Sequence, residues 1–276
     1  MRSGVQVFLL ILISLGASWC GLVLLPVIQL GNAKQSTVVN SQDLYPVGRS
    51  GEANQGLQVY RATGCAACHT EQVRQEGVAC EVCISDAGTN KAAVLAAAKK
   101  INSSSSDADP VVLKTPNKDA ADAAVAALSA AGAKVEVRIV ATGPDITFRN
   151  WGMRRSVAAD FLFDAPVQPG SLRAGPDLAN IGARKPDINW QLLHLYSPQS
   201  VVKGSPMPPF RYLFELQKIG RDASPDALAV PKELAPPAGY EIVPTESARQ
   251  LAAYLLSLRA NVPLYEAPVT PVSSNP

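Results

Sequence analysis

The first thirty residues form an almost unbroken apolar run. From Val7 to about Leu30, only three polar side chains interrupt it. At about 1.5 Å per residue, a helix of that length spans the roughly 30 Å hydrocarbon core of a bilayer. The pattern predicts a membrane anchor over residues 1–30. A cleaved signal peptide is the alternative, with residues 31–33 as its cleavage site.

The basic residues around this run indicate its orientation. Arg2 precedes the run, and the next basic residue is Lys34. Because positive charge favours the cytoplasmic side, we expect a single-pass protein of a bacterial inner membrane with its C-terminal domain in the periplasm.

Two amphipathic helices are predicted far apart in the chain. The first runs from Gly51 to Thr63, with apolar residues at helical spacing. The second runs from Thr245, a good N-cap, to Arg259, which suits the negative end of the helix dipole. Its apolar stripe consists of Leu251, Tyr254, Leu255 and Leu258.

Three further stretches lack helical periodicity. Residues 31–50 are polar and predict a tether between the anchor and the first helix. Residues 215–244 are rich in proline and predict a loop. Residues 263–276 predict a disordered tail.

The composition changes abruptly over residues 76–140, here called the inserted segment. Its pattern alternates predicted strands and alanine-rich helices in the order β-α-β-α-β, at residues 78–84, 90–101, 111–114, 118–131 and 134–140. A layer of this kind can bury a small core of its own. We therefore expect a small α+β domain placed within another domain.

The chemistry centres on the pentapeptide Cys65-Ala66-Ala67-Cys68-His69. A Cys-x-x-Cys-His sequence lets two thiols bond to the vinyl groups of a haem and lets the histidine bind its iron. We therefore predict one covalent haem c at Cys65, Cys68 and His69. A redox dithiol or half of a zinc site is the alternative, but His194 is the only other histidine.

Net charge and aromatic content bear on which ligands the chain could bind. The formal net charge is only +2, which gives no case for nucleic-acid binding. Aromatic residues make up 6% of the chain, which suits a small domain whose core is completed by a cofactor.

The two predicted helices resemble the crossing terminal helices of class I cytochromes c. In that family a glycine and an aromatic residue on one helix meet a Leu-x-x-Tyr pair on the other, and Gly56, Tyr60, Leu251 and Tyr254 match this pattern. The resemblance implies a mainly α chain. In it, an N-terminal transmembrane helix precedes a cytochrome domain of residues 51–75 and 141–262, which the inserted segment interrupts.

The chain also resembles the mono-haem subunit, the CcoO family, of cbb3-type cytochrome oxidases. The likeness rests on the runs at residues 68–74, 170–178 and 205–208 together. It implies an electron-transfer subunit without a catalytic site of its own. Its partners would be membrane lipid, a c-type cytochrome donor and the oxygen-reducing haem–copper subunit. The alternative is a subunit of nitric oxide reductase or a free-standing anchored carrier.

The sixth iron ligand is predicted to be Met207. The chain has three methionines; Met1 lies on the cytoplasmic side, and prolines on both sides of Met207 stiffen its loop more than that of Met153. The family resemblance also selects Met207, and a His/Met pair raises the reduction potential. His194 is the alternative ligand, or packs near the site.

Three further residues are expected around the haem. The resemblance to class I cytochromes c implies that the carbonyl of Pro176 accepts a hydrogen bond from His69. Arg173 and Trp190 are candidates to contact the haem propionates, with a surface arginine and a core tryptophan as the alternative.

The inserted segment resembles the C-terminal domain of the bacterial ribosomal stalk protein, without that domain's central helix. This implies a structural or partner-docking role, and an adaptor function is a further alternative for the whole chain. Cys80 and Cys83 lie in its first strand. We expect free thiols or a disulfide, since residues three apart in a strand point to opposite faces and a bridge would be strained.

Overall fold

The computed structural model describes residues 2–106 and 109–267. Its N-terminal helical run consists of α1 (Arg2–Trp19), a π-helical turn (Cys20–Leu24) and α2 (Leu25–Gly31). The stretch from Ser3 to Gln29 is long and apolar enough to cross a membrane. A signal sequence near an N-terminus can meet the same criteria of length and composition.

Beyond this run the chain mixes helices and strands. Over all the described residues, the N-terminal run included, helices account for 42% and strands for 15%, so the expectation of a mainly α chain is replaced by a mixed one. The remaining helices are α3 (Gly51–Ala62), α4 (Lys91–Ile101), α5 (Lys118–Ala130), α6 (Ile181–Arg184), α7 (Ile188–Tyr196), α8 (Pro198–Val201) and α9 (Glu246–Ser257). The strands are β1 (Ser36–Thr37), β2 (Leu44–Tyr45), β3 (Gly77–Asp86), β4 (Val111–Thr115), β5 (Lys134–Thr142), β6 (Phe214–Lys218) and β7 (Tyr240–Pro244).

Helices α3 and α9 cross at a glycine. Their N-termini are capped by the side chains of Ser50 and Thr245. A Cβ atom added to Gly56 would lie 1.9 Å from the carbonyl oxygen of Gln250, so only glycine permits this approach. Around the crossing lies the main apolar core, to which α3, α6, α7, β6, β7 and α9 all contribute.

Residues 77–142 form a unit that we call the sheet unit. Its strand order is β4-β3-β5, and the central β3 is antiparallel to both neighbours. Its elements follow the order β-α-β-α-β, and helices α4 and α5 close a small core of valine, alanine and leucine side chains with the sheet. Gly77 pairs directly with Thr142, so the chain enters and leaves this unit at adjacent points. The strands extend two residues beyond the predicted end of the inserted segment.

Part of the predicted tether is folded. Strands β1 and β2 pair antiparallel within residues 31–50. Tyr45 is buried, and its hydroxyl donates a hydrogen bond of 2.8 Å to Asp160. The polar composition of residues 31–50 did not indicate that Tyr45 packs this stretch against the rest of the folded chain.

The predicted loop over residues 215–244 is wrong in part. Strands β6 and β7 lie at its two ends and pair antiparallel over five residues. In β6 only Phe214 is buried, and in β7 buried residues stand next to one another, so neither strand shows a clear alternation in the sequence.

The predicted tail divides into two parts. Leu264 and Ala267 are buried beside Tyr45, in a small apolar cluster with Val157 and Ala159. Residues 268–276 lie outside the described residues.

Candidate haem site

The Cys-x-x-Cys-His segment follows α3 directly. Gly64 ends the helix with φ of 74°, a left-handed conformation that favours glycine. A 3₁₀ turn over Cys65–Ala67 then reverses the chain. Cys68 is exposed and Cys65 is half-buried, and both are free thiols. The two cysteines therefore lie at the two ends of one short turn, as bonding of both thiols to one macrocycle would require.

The ring of His69 is held by the segment around Pro176. The carbonyl oxygen of Pro176 lies 2.7 Å from Nδ1 of His69. Because a carbonyl can only accept, Nδ1 carries the proton and Nε2 keeps a lone pair. A Cβ atom on Gly175 would lie 2.2 Å from Cε1 of His69, so the ring packs against bare backbone.

Electrostatics keep this imidazole neutral. Burial lowers the pKa of His69, and the hydrogen bond with Pro176 opposes that shift. A neutral imidazole with a free Nε2 is the form that binds a metal ion.

Asp177 links the segment that contains Pro176 to the segment that contains His69. Its side chain is fully buried, and Oδ2 accepts hydrogen bonds from the hydroxyl of Thr70 at 2.6 Å and from the amide of Gln72 at 2.7 Å. Oδ1 accepts from the amide of Ala179 at 2.9 Å. Burial raises the pKa of Asp177, while these three donors lower it. Sequence reasoning did not select Asp177 as a site residue.

Arg173 is engaged by protein groups. Its guanidinium lies 2.6 Å from Asp145 and donates to the carbonyl of Gln72. It also stacks over Trp151 at 5.3 Å from the ring centroid. Its Nε is buried without a hydrogen-bond partner among the described residues. The expected contact with a propionate stays a prediction.

Trp190 and His194 form a stacked pair on α7. Their ring centroids are 4.9 Å apart and their planes differ by 6°. Burial lowers the pKa of His194 to about 4, and protonation of nearby His69 would lower it further. Nδ1 of His194 is buried without a partner among the described residues, so the neutral ring presents an unused polar atom near His69.

Met207 lies in a stretch without regular secondary structure after α8. It is partly buried against the main core, and its amide donates a hydrogen bond of 3.3 Å to the hydroxyl of Ser205. The amide of Phe210 donates to the carbonyl of Leu195, which ties this stretch to α7. Its role as the sixth ligand stays a prediction.

A buried carboxyl beside the site was missed by the sequence analysis. Glu71 is 1% exposed and accepts hydrogen bonds from the hydroxyl of Tyr254 at 2.9 and 3.0 Å. Burial raises the pKa of Glu71 to about 7. The only feature of the sequence that could have indicated a role for Glu71 near the site is its position two residues after His69. Its partner lies 183 residues away, and nothing local indicates it.

Cys80 and Cys83 stand apart from this site, in β3. Both are free thiols. Cys80 packs towards the helices of the sheet unit, whereas Cys83 alternates to the other face of the sheet and is buried there. Their opposite directions disfavour a bridge between them.

The alternative of a zinc site finds no support in the geometry. Within residues 2–106 and 109–267, no three or more His, Cys, Asp or Glu side chains are grouped so that they could hold a metal ion. Structural zinc requires four such ligands.

A comparison with known proteins matches part of the chain to a family model. Residues 147–254 match the family model described as cytochrome c oxidase, mono-heme subunit/FixO. No curated protein matches the chain. The matched range contains Arg173, Pro176, Trp190 and Met207 but not the Cys-x-x-Cys-His segment or the inserted segment, whose likeness to the stalk protein stays a prediction. The match supports the resemblance of this chain to the mono-haem subunits of cytochrome c oxidases.

Proposed function

We propose that this chain is the membrane-anchored, mono-haem electron-transfer subunit of a haem–copper terminal oxidase. One observation carries the proposal. The segment that matches the oxidase family supplies, through Pro176, the hydrogen bond that fixes His69 of the Cys-x-x-Cys-His sequence. The matched and unmatched parts of the chain therefore meet at His69, one of the two proposed ligands of the iron.

The residues present fit a haem c. The thiols of Cys65 and Cys68 would bond to the vinyl groups, and Nε2 of His69 and the thioether of Met207 would hold the iron. The unpartnered Nδ1 of His194 offers a donor to a propionate. When bound, the haem supplies reversible one-electron transfer.

The protein's own contribution is to fix the ligands and exclude water. The hydrogen bond with Pro176 sets the tautomer and ring orientation of His69. The half-buried Cys65 and Met207 pack against the main core, which supplies an apolar surface. If His69 and Met207 both held the iron, no coordination position would be left for a substrate, and the chain would serve to carry electrons.

The assembly follows from the anchor and the family. The apolar N-terminal helix would hold the folded part at the periplasmic face of a bacterial inner membrane. The match to an oxidase subunit implies association with the oxygen-reducing subunit. Electrons would arrive from a c-type cytochrome. The sheet unit would be a structural or docking addition to this subunit.

The proposal is tested by purifying the full chain from membranes in mild detergent. Haem analysis and oxygen uptake are measured on the same fraction. We expect one covalent haem per chain, together with b-type haem, copper and oxygen uptake from the partner subunit. A fraction that carries b-type haem but consumes nitric oxide and not oxygen would overturn the oxidase assignment. A lone c-type spectrum without activity would do so as well.

A substitution tests the sixth ligand separately. We expect Met207→Leu to lower the midpoint potential and to let carbon monoxide bind, because leucine has no thioether. Met153→Leu, at the other methionine of the folded part, is the matched control and should leave the spectrum unchanged. A Met207→Leu protein with the wild-type spectrum and no carbon monoxide binding would remove Met207 as ligand.

A further inference from the structure

The segment that carries His69 and the segment that carries Pro176 lie side by side. The amide of Gly175 donates to the carbonyl of Cys68 at 2.9 Å, and the amide of Leu178 donates to the carbonyl of Thr70 at 2.7 Å. These two backbone bonds flank the contact between Pro176 and His69 on both sides. The direction of the Pro176 carbonyl therefore depends on the hydrogen bonds that join the segment of residues 175–178 to the segment of residues 68–70.

Asp177 makes the side-chain part of this junction. Its carboxyl accepts from Thr70 and Gln72, one and three residues after His69. The carbonyl of Pro176 and the amide of Asp177 belong to one planar peptide unit. Holding the side chain of Asp177 against Thr70 and Gln72 therefore restrains the plane in which the Pro176 carbonyl points.

Burial raises the pKa of Asp177, and its hydrogen-bond partners oppose that shift by favouring the charged carboxylate. In all three of its side-chain hydrogen bonds, Asp177 is the acceptor: a hydroxyl and two backbone amides donate to it. An ionised carboxylate can only accept, so this pattern fits the charged form. Arg184 donates to its backbone carbonyl, and the guanidinium of Arg173 lies 3.8 Å from Oδ2. A buried carboxylate is tolerated where such donors and cations surround it.

We propose that Asp177 is a positioning residue for the axial histidine. It holds the Pro176 carbonyl on Nδ1 of His69, and so favours the ferric state of the haem. This inference rests on the proposed function, because it requires a haem iron at His69. A firm hydrogen bond to Nδ1 makes Nε2 a more basic ligand, and a buried negative charge nearby also favours the more positive iron.

The test compares midpoint potentials of purified full-length proteins whose covalent haem content has been measured. Asp177→Asn removes the charge and one acceptor. Thr70→Val removes one donor without changing the charge, and Thr70→Ser keeps the hydroxyl. Asp187→Asn at the exposed N-cap of α7 controls for net charge, because asparagine also caps helices.

We expect Asp177→Asn to raise the midpoint potential. At a fixed solution potential the ratio of ferrous to ferric haem should rise about tenfold, which corresponds to about 59 mV for one electron. Thr70→Val should shift it in the same direction by about threefold. Thr70→Ser and Asp187→Asn should match the wild type. A merely structural role would lower the unfolding temperature and leave the potential of the haem-loaded fraction unchanged.

The outcomes separate the two proposals. A haem-loaded Asp177→Asn protein with the wild-type potential overturns the positioning role and leaves the proposed function intact. If that variant takes up no haem, Thr70→Val decides: a wild-type potential overturns the role, and a raised one restored by Thr70→Ser supports it. A wild-type chain without covalent haem overturns the proposed function itself.

Discussion

The sheet unit and the helical region around it (residues 51–75 and 143–262) are held together by different kinds of contact. The core of the sheet unit consists of valine, alanine and leucine side chains between residues 82 and 133. The helical region buries Glu71, Arg154 and Asp177 at 1% exposure or less. Each is satisfied by a partner far along the chain, as when Arg154 donates to the carbonyl of Val262.

This difference indicates which contacts stabilise each region. In the sheet unit, neighbouring elements bury one another, so stability is spread over many similar contacts. In the helical region, a buried charge that loses its partner retains its full desolvation cost. Single substitutions should therefore be more damaging in the helical region, and three experiments test this comparison.

The largest effect is expected from Gly56→Ala at the crossing of α3 and α9. The added Cβ would meet the backbone of Gln250, which cannot move without separating the helices. We expect a loss of about 3 kcal/mol or more in unfolding free energy, together with a loss of bound haem. Thermal unfolding and haem content measure both.

Gly51→Ala is the matched control, because a Cβ at Gly51 meets nothing within 4 Å. It should fold and bind haem like the wild type. Equal stability of the two alanine variants would contradict the close crossing.

A smaller effect is expected from Asp145→Asn, just after the sheet unit. The carboxylate of Asp145 accepts from the amide of Arg74 and pairs with Arg149 and Arg173. Burial alone would raise the pKa of Asp145, but these three partners hold it below the usual value. We expect Asp145→Asn to cost about 2–3 kcal/mol near neutral pH, because it removes the ion pair with Arg149 and leaves Arg173 only the more distant carboxylate of Asp177.

The pH dependence of that cost has a definite sign. A carboxyl with a lowered folded pKa stabilises the protein above its unfolded pKa of about 4 and loses this effect as pH falls through the folded value. The difference between wild type and Asp145→Asn should therefore shrink below about pH 4. Denaturant unfolding at several pH values measures it, with Asp122→Asn on the exposed face of α5 as control. A difference that grows on acidification would contradict this assignment.

The smallest effect on the haem site is expected from removing the sheet unit. Because Gly77 and Thr142 pair directly, a two-residue Asn-Gly turn can replace residues 77–142. Haem content per chain should remain within twofold of the wild type. Deleting residues 219–239 between β6 and β7 is the contrasting control, because it removes Leu228 from the main core, and it should abolish haem binding. Loss of haem in the first deletion would show that the two regions fold together.

The same contrast explains what could be predicted from the sequence. Helices α3 and α9 and the five elements of the sheet unit follow from local periodicity and capping residues. The Cys-x-x-Cys-His segment is recognisable because its chemistry is contiguous. Asp177, by contrast, lies within a predicted motif and shows no local sign of its contacts with Thr70 and Gln72.

Buried polar partners escaped prediction for a physical reason. Glu71 and Arg154 have the composition of surface residues, and only the folded chain brings them to Tyr254 and Asp160. Strands β6 and β7 escaped as well, because β6 is almost wholly exposed and β7 is largely buried, and neither alternates between buried and exposed positions. Tyr45 is buried by the same kind of long-range contact, within a stretch whose polarity indicated a tether.

The adjacency of Gly77 and Thr142 has a practical consequence for labelling. Gly143, directly after Thr142, has a φ of 139°. A Cβ atom on Gly143 would lie 2.9 Å from the amide nitrogen of Glu76, so the chain segments that enter and leave the sheet unit are in close contact. Any compact protein whose two ends lie close together can be exchanged for the sheet unit at this point. A fluorescent reporter grafted there would mark the subunit inside its complex without extending either terminus.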